Sequence, residues 1–193
     1  MTLITLTDPR SPVSEAYRTL RTNLSFSSLD EPIRTLVVTS PAPDEGKSTT
    51  VANLAVTMAQ GGRSTILVDC DLRRPSLHTL FDCQAEPGLT NLLLEEEGKP
   101  ALQQTKVDGL RLLSSGSLPP NPADLLGSQR IDKVIASLAE AADVVLFDAP
   151  PVIAVTDAAV LGAKVDGVLL VINAGKTRRE HAERAKGMLE RAN

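Results

Sequence analysis

Five short runs rich in Val, Ile and Leu, at 36–40, 65–69, 110–113, 144–148 and 167–172, are separated by stretches with helical spacing. The runs are nearly continuous in apolar residues instead of alternating, which predicts strands buried on both faces and hence a parallel sheet covered by helices. The helical patterns lie at 47–60, 89–96, 122–141, 157–163 and 177–191. Strand and helix in alternation predict an α/β fold, a doubly wound, mostly parallel sheet flanked by helices. A chain of 193 residues with 42% hydrophobic composition supports one core, so a single domain over 1–193 is expected.

Ahead of the first strand, SPVSEAYRTLRTNLSFSS predicts a helix started by Ser11 or Ser14, with Pro12 in its first turn. Val13, Leu20 and Leu24 fall on one face, with Tyr17 at its edge, and Glu15, Arg18 and Arg21 fall on the adjoining flank. The domain thus divides into an N-terminal helical part, 1–30, and a core, 34–193. The segment 114–128, SSGSLPPNPADLLGS, reads as a loop, and 95–100 reads as a solvated helix end. A doubly wound sheet ordinarily returns with another strand after its last helix, so the expectation is a chain cut short after Asn193 or a small sheet.

Composition narrows the partners. Aromatic content of 2%, no Trp and a net charge of −4 without a basic stripe argue against a nucleic-acid surface. Cys70 and Cys83, with no His at ligand spacing, predict reduced thiols instead of a zinc site or redox pair. No run is long enough to cross a bilayer, and the first residues lack the basic end and apolar stretch of a secretory signal, so a cytoplasmic protein is expected.

The first strand runs into SPAPDEGKSTT and then a helix from Lys47. Backbone N–H groups of such a loop and the free donors of the helix start converge on polyphosphate oxygens, helped by the helix dipole. Gly46 lets the backbone approach, Lys47 reaches the outer phosphates, the Ser48 hydroxyl ligates Mg²⁺, and Thr49 serves an inner phosphate. The nucleotide-binding set is therefore Asp44, Glu45, Gly46, Lys47, Ser48 and Thr49.

In ILVDCDLRRP the carboxylates of Asp69 and Asp71 project to one side and Cys70 to the other. Their repulsion calls for a cation, and a magnesium ion supplies it. In DVVLFDAPP, Asp148 ends a hydrophobic strand, the usual place for a carboxylate that holds magnesium directly or through water. Pro150 and Pro151 then turn the chain, and Asp157 starts or caps the next helix. Taken singly, each feature has a plainer reading, as a surface lysine in an ordinary loop or as turn and cap residues. Ligands of open α/β sheets bind beyond the carboxyl ends of the strands, and all of these residues lie there, so one site is the economical expectation.

Together these features resemble the bacterial tyrosine kinase family, the P-loop kinases of capsule and exopolysaccharide production. The carriers are SPVSEAYRTLRTNLSF, TSPAPDEGKSTT as Walker A, ILVDCDLRRP as Walker A′ and VVLFDAPP as Walker B, supported by RRPSLHTLF, PGLTNLL and LPPNPADLL. The resemblance implies a P-loop NTPase of the deviant-Walker, MinD/ParA-like type that transfers the γ-phosphoryl of ATP to tyrosine with Mg²⁺. Lys47 would act on the phosphates, Ser48, Asp148 and water-linked Asp71 on the metal, and Asp69 would accept the tyrosine proton.

Pro41 is common in that family, whereas Asp44 stands where glycine is frequent and is expected to alter the loop. Glu15, Arg18 and Arg21 match the family's EX2RX2R oligomerisation motif and imply a ring-like homo-oligomer, against the plainer reading of a solvated charged flank. The resemblance further implies a transmembrane polysaccharide co-polymerase adaptor that recruits the kinase to the inner face of the membrane, and protein tyrosine substrates. It also implies a tail of acceptor tyrosines and a further strand near the adenine, while no tyrosine follows Tyr17 here. The competing readings are a MinD/ParA-like ATPase switch, in which water replaces tyrosine and nucleotide-dependent assembly is the output, and a scaffold that only binds ADP. Ser40, Pro41 and Ala42, in place of a KGG start, count against the switch.

Overall fold

The computed structural model describes residues 3–27, 32–95 and 98–192. Strands β1 (Thr35–Thr39), β2 (Thr65–Asp69), β4 (Leu110–Leu113), β5 (Val144–Asp148) and β6 (Gly167–Leu170) pair in parallel, and β3 (Gln103–Gln104) adds an antiparallel edge to β4. The order is β3-β4-β2-β5-β1-β6. β1 and β2 are therefore not neighbours: β5 lies between them, with Val38 on one side and Asp69 on the other, both in register with Asp148. This insertion brings three strand ends to one place.

One face of the sheet is covered by α1 (Ile4–Thr7), α2 (Pro12–Phe26), α3 (Lys47–Gln60) and α4 (Leu77–Phe81), the other by α5 (Leu89–Leu94), α6 (Pro122–Gly127), α7 (Gln129–Ala141), α8 (Asp157–Gly162) and α9 (Arg179–Glu190). Side chains alternate between the two cores: Leu36, Val38, Leu67 and Leu146 pack with α3, whereas Val37, Ile66, Val68, Val145 and Phe147 pack with α7 and α8. Two covered faces are the reason that the strands show no polar alternation.

Ser11 caps α2, its Oγ accepting from the Ser14 N–H at 3.1 Å, with Pro12 as the first helical residue. Leu20 and Leu24 face the core as expected, but Val13 is 52% exposed. Ser14 turns inward instead, donating its hydroxyl to the Asp8 carbonyl at 2.7 Å. α1 docks on α3 through Thr5, whose N–H and hydroxyl both donate to Asn53 Oδ1, at 3.1 and 2.8 Å.

Several expected boundaries are corrected. The helix expected over 122–141 breaks at Ser128, which is extended (ψ 161°) and donates its hydroxyl to the Leu125 carbonyl at 2.8 Å. The expected loop 114–128 consequently ends in α6, and it begins with the fully buried Ser114 and Ser115. The helix expected to reach residue 96 stops at Leu94; residues 96 and 97, within the expected solvated end 95–100, lie outside the described residues, as do residues 28–30 of the N-terminal part. The last strand stops at Leu170 and the last helix starts at Arg179, because Asn173 and Thr177 close a turn: the Thr177 N–H donates to the Asn173 carbonyl at 2.9 Å and the Asn173 N–H to Thr177 Oγ1 at 3.1 Å. α1, α4 and β3 are too short for a periodic pattern to announce them. Cys70 and Cys83 are both free thiols.

At the opposite end of the sheet Asp166 ties β6 to β1, its Oδ2 accepting from the N–H groups of Arg34 and Thr35, each at 2.8 Å. Partial burial works against the charged carboxylate, but these two amides outweigh it and hold its pKa below the ordinary value. Asp166→Ala should therefore cost about 1 kcal/mol in urea unfolding at neutral pH. A depressed folded pKa gives stability that is present above the unfolded carboxyl's pKa and lost as pH falls through the folded one, so the gap should close in acid. A gap that is the same in acid and at neutral pH would contradict the assignment.

Candidate functional site

The loop between β1 and α3 is built on two left-handed residues, Gly46 (φ +86°) and Asp44 (φ +60°). Aspartate is among the residues that tolerate this region, so Asp44 accommodates the glycine-type turn instead of changing it. Gly46 opens α3, its carbonyl accepting from the Thr50 N–H at 2.8 Å. Lys47, Ser48 and Thr49 thus form the first turn of a 14-residue helix, whose orphan donors point toward the space above the strand ends. Glu45 reaches instead to the turn after β6, where its Oε1 accepts from the Thr177 hydroxyl at 2.7 Å. Sequence reasoning missed Thr177, since it lies 132 residues away and follows the apolar pattern of β6.

Beneath the loop the structure brings Lys47 together with all three aspartates. Lys47 Nζ lies 2.9 Å from Asp71 Oδ2 and 3.1 Å from Asp148 Oδ1, and it donates to Ser48 Oγ at 3.1 Å. Burial disfavours the ammonium, but Asp148 and Asp71 outweigh it and hold the lysine pKa above its ordinary value. Burial likewise pushes the Asp148 carboxyl up, with Lys47 and the Ser48 hydroxyl opposing.

Asp69 is also fully buried, and its partners differ. Its Oδ2 accepts from the N–H groups of Ser76 and Leu77, both at 3.0 Å, and its Oδ1 from the Asp71 N–H at 3.3 Å. Burial and the Asp148 carboxylate raise its pKa to about 7, against the lowering by Leu77, Ser76 and Lys47. Asp71 and Asp148 are thus the aspartates that face Lys47, while Asp69 also organises the turn into α4.

Two carboxylates against one ammonium, Asp71 and Asp148, leave an excess of negative charge, and Asp148 Oδ2 is buried without a hydrogen-bond partner. Both observations fit a divalent cation held by Ser48, Asp71 and Asp148. Among the described residues no group of three His, Cys, Asp or Glu side chains could hold a metal by itself. Magnesium completes its oxygen shell with water and phosphate.

A cleft of about 590 Å³ opens above this cluster, running from Gly46, Lys47 and Ser48 past Asp71 to a stretch bounded by residues 73–76 and 150–155. Arg73 is held by Asp157, Nε to Oδ2 at 3.1 Å and Nη2 to Oδ1 at 3.2 Å. Asp157 starts α8 without capping it, and its carboxylate is spent on this pair.

The other expected residues lie elsewhere. Glu15 and Arg18 pair with each other on the outer flank of α2, and Arg18 also donates to the Pro9 carbonyl at 2.7 Å. Arg21 is used within the protomer, its Nη1 donating to the Thr57 carbonyl at 2.7 Å near the end of α3. Removing the central cation tests the cluster: Lys47→Met leaves Asp71 and Asp148 buried without their ammonium, and should lower the unfolding free energy of the nucleotide-free protein by about 3–5 kcal/mol in urea. A variant as stable as the parent would show that the pairs do not form.

Comparison with known proteins agrees with this geometry. A family model described as ParA, NUBPL iron-transfer P-loop NTPase, matches residues 33–193. The tyrosine-protein kinase YwqD of Bacillus subtilis (strain 168) is 46% identical over 188 residues, spanning 97% of this chain and 79% of that protein. The putative tyrosine-protein kinase CapB of Staphylococcus aureus is 37% identical, spanning 95% and 81%. The solved kinase domain of the Escherichia coli tyrosine kinase ETK superposes with a TM-score of 0.95 at 31% identity, covering 100% of this chain and 76% of that one. With a P-loop, a buried lysine and the aspartates of two strand ends in one cluster, the chain belongs to the bacterial tyrosine-protein kinase family, on a ParA-like P-loop NTPase fold.

Proposed function

We propose that this chain is a protein-tyrosine kinase that uses ATP and Mg²⁺, acting in capsular or exopolysaccharide synthesis. The observation that carries the reading is Lys47 clamped between Asp71 and Asp148 under a phosphate loop, in a chain of the tyrosine-kinase family. The amides of the loop and the start of α3 bind the ATP phosphates, with Lys47 turning from its carboxylates to the outer ones. Ser48, Asp148 and water-linked Asp71 would hold Mg²⁺, which when bound would supply neutralisation of phosphate charge.

The tyrosine Oη forms a bond to the γ-phosphorus while the bond from that phosphorus to the β–γ bridging oxygen breaks. ADP departs with the electron pair, and the phenolic proton passes to Asp69. Asp71 and Asp148 are committed to cations, which leaves Asp69 for this role. Its carboxylate has about four lone-pair directions, and the three amides it accepts from leave one open.

Glu15 and Arg18 on the exposed flank of α2, with Arg21, supply the contacts of a ring-like homo-oligomer in this reading. Among the described residues no helix is long and apolar enough to cross a membrane, so a transmembrane polysaccharide co-polymerase adaptor is proposed to bring the kinase to the inner face of the cell membrane. The ParA-like family match favours a second reading, an ATPase switch in which water takes the place of tyrosine.

Labelled ATP with a tyrosine-bearing protein separates the two, since the kinase yields phosphotyrosine and the switch inorganic phosphate alone. Asp69→Asn should lower phosphotyrosine formation by about 10²–10⁴-fold while ADP binding stays measurable. Full transfer by that variant would remove Asp69 from the mechanism.

A further inference from the structure

We propose that residues 73–76 and 150–155 are the two walls of a slot that receives the acceptor tyrosine ring, and that the Arg73–Asp157 ion pair fixes their separation. The inference rests on the tyrosine-kinase reading and extends it to how the acceptor is held. The inner end of the cleft is accounted for by the phosphate loop and Lys47. Its outer stretch is lined by Pro150, Pro151 and Val155 from one segment and by Arg73 and Ser76 from the other. Proline and valine offer an apolar surface to the face of an aromatic ring, while the Asp71 end of the cleft is polar and suits its hydroxyl.

The ion pair joins these two segments directly. Arg73 belongs to the turn after β2, and Asp157 follows the 150–155 segment as the first residue of α8, 84 residues later in the chain. The contact is bidentate, so it sets orientation as well as distance. Asp157 is completely buried, whereas the Arg73 side chain is 41% exposed beside the cleft. Arg73 cannot swing away without leaving a desolvated carboxylate unpaired, which keeps it in place as the cleft fills. Arg73 is thus a positioning residue: it acts through the walls, and the transferred group does not touch it.

Two variants test this. Arg73→Lys keeps the charge that Asp157 requires but removes the planar fork. Ala154→Trp fills the slot from an exposed position whose side chain bears little on folding. With a random glutamate–tyrosine copolymer as acceptor, each variant should raise the acceptor KM by about tenfold or more. The dissociation constant for a fluorescent ADP with Mg²⁺ should stay within about twofold of the parent, because the phosphate loop is untouched. An unchanged acceptor KM in both variants would overturn the proposal. So would a parallel loss of acceptor and ADP affinity, which would give the slot to the nucleotide or make the ion pair merely structural. A parent enzyme that forms no phosphotyrosine on any acceptor would remove the kinase reading itself, and this inference with it.

Discussion

One ammonium group holds the working end of this molecule together. Lys47 stands at the start of the helix that follows β1, Asp71 just beyond β2, and Asp148 at the end of β5, so its two ion pairs join three separate strand ends. The arrangement depends on β5 running between β1 and β2, which sets Asp148 level with Val38 and with Asp69. If β1 and β2 were direct neighbours, the loop and the two acidic strand ends could not share one cluster.

That cluster is costly in the absence of a ligand. Buried charges lose hydration that their mutual attraction restores only in part, and the Asp148 Oδ2 atom has no partner. In the proposed reading a polyphosphate with a divalent cation would relieve both defects, with phosphate oxygens replacing carboxylates around the lysine and the cation meeting the surplus negative charge. Ligand binding and folding stability would then be linked through the same few atoms. Arg21 extends the link outward, because it bonds to the far end of the helix that begins with Lys47.

Much of this was legible in the residues. β2, β4, β5 and α3 occupy the stretches that apolar continuity and helical spacing mark out, because strands covered on both faces admit no polar interruption. The cluster was legible for a related reason: short polar motifs at the ends of such strands must lie at one edge of the sheet. What was not legible depends on contacts distant in sequence or on single residues. Gln103 and Gln104 form a strand with no apolar pattern, and Ser128 interrupts a helix whose periodicity runs straight through it. The Arg73–Asp157 pair and the Glu45–Thr177 bond join residues that no local spacing relates. Val13 fits the apolar face of α2 by periodicity alone, yet Ser14 takes the inward place because Asp8 offers it a carbonyl.

In the proposed reading the loop and the acidic strand ends form a single site for a magnesium nucleotide. It is tested most directly by titrating ADP with and without Mg²⁺ into the parent protein and into Asp148→Asn. Mg²⁺ should tighten ADP binding by about tenfold or more in the parent and have little effect in the variant. An equal response to Mg²⁺ in both proteins would contradict it.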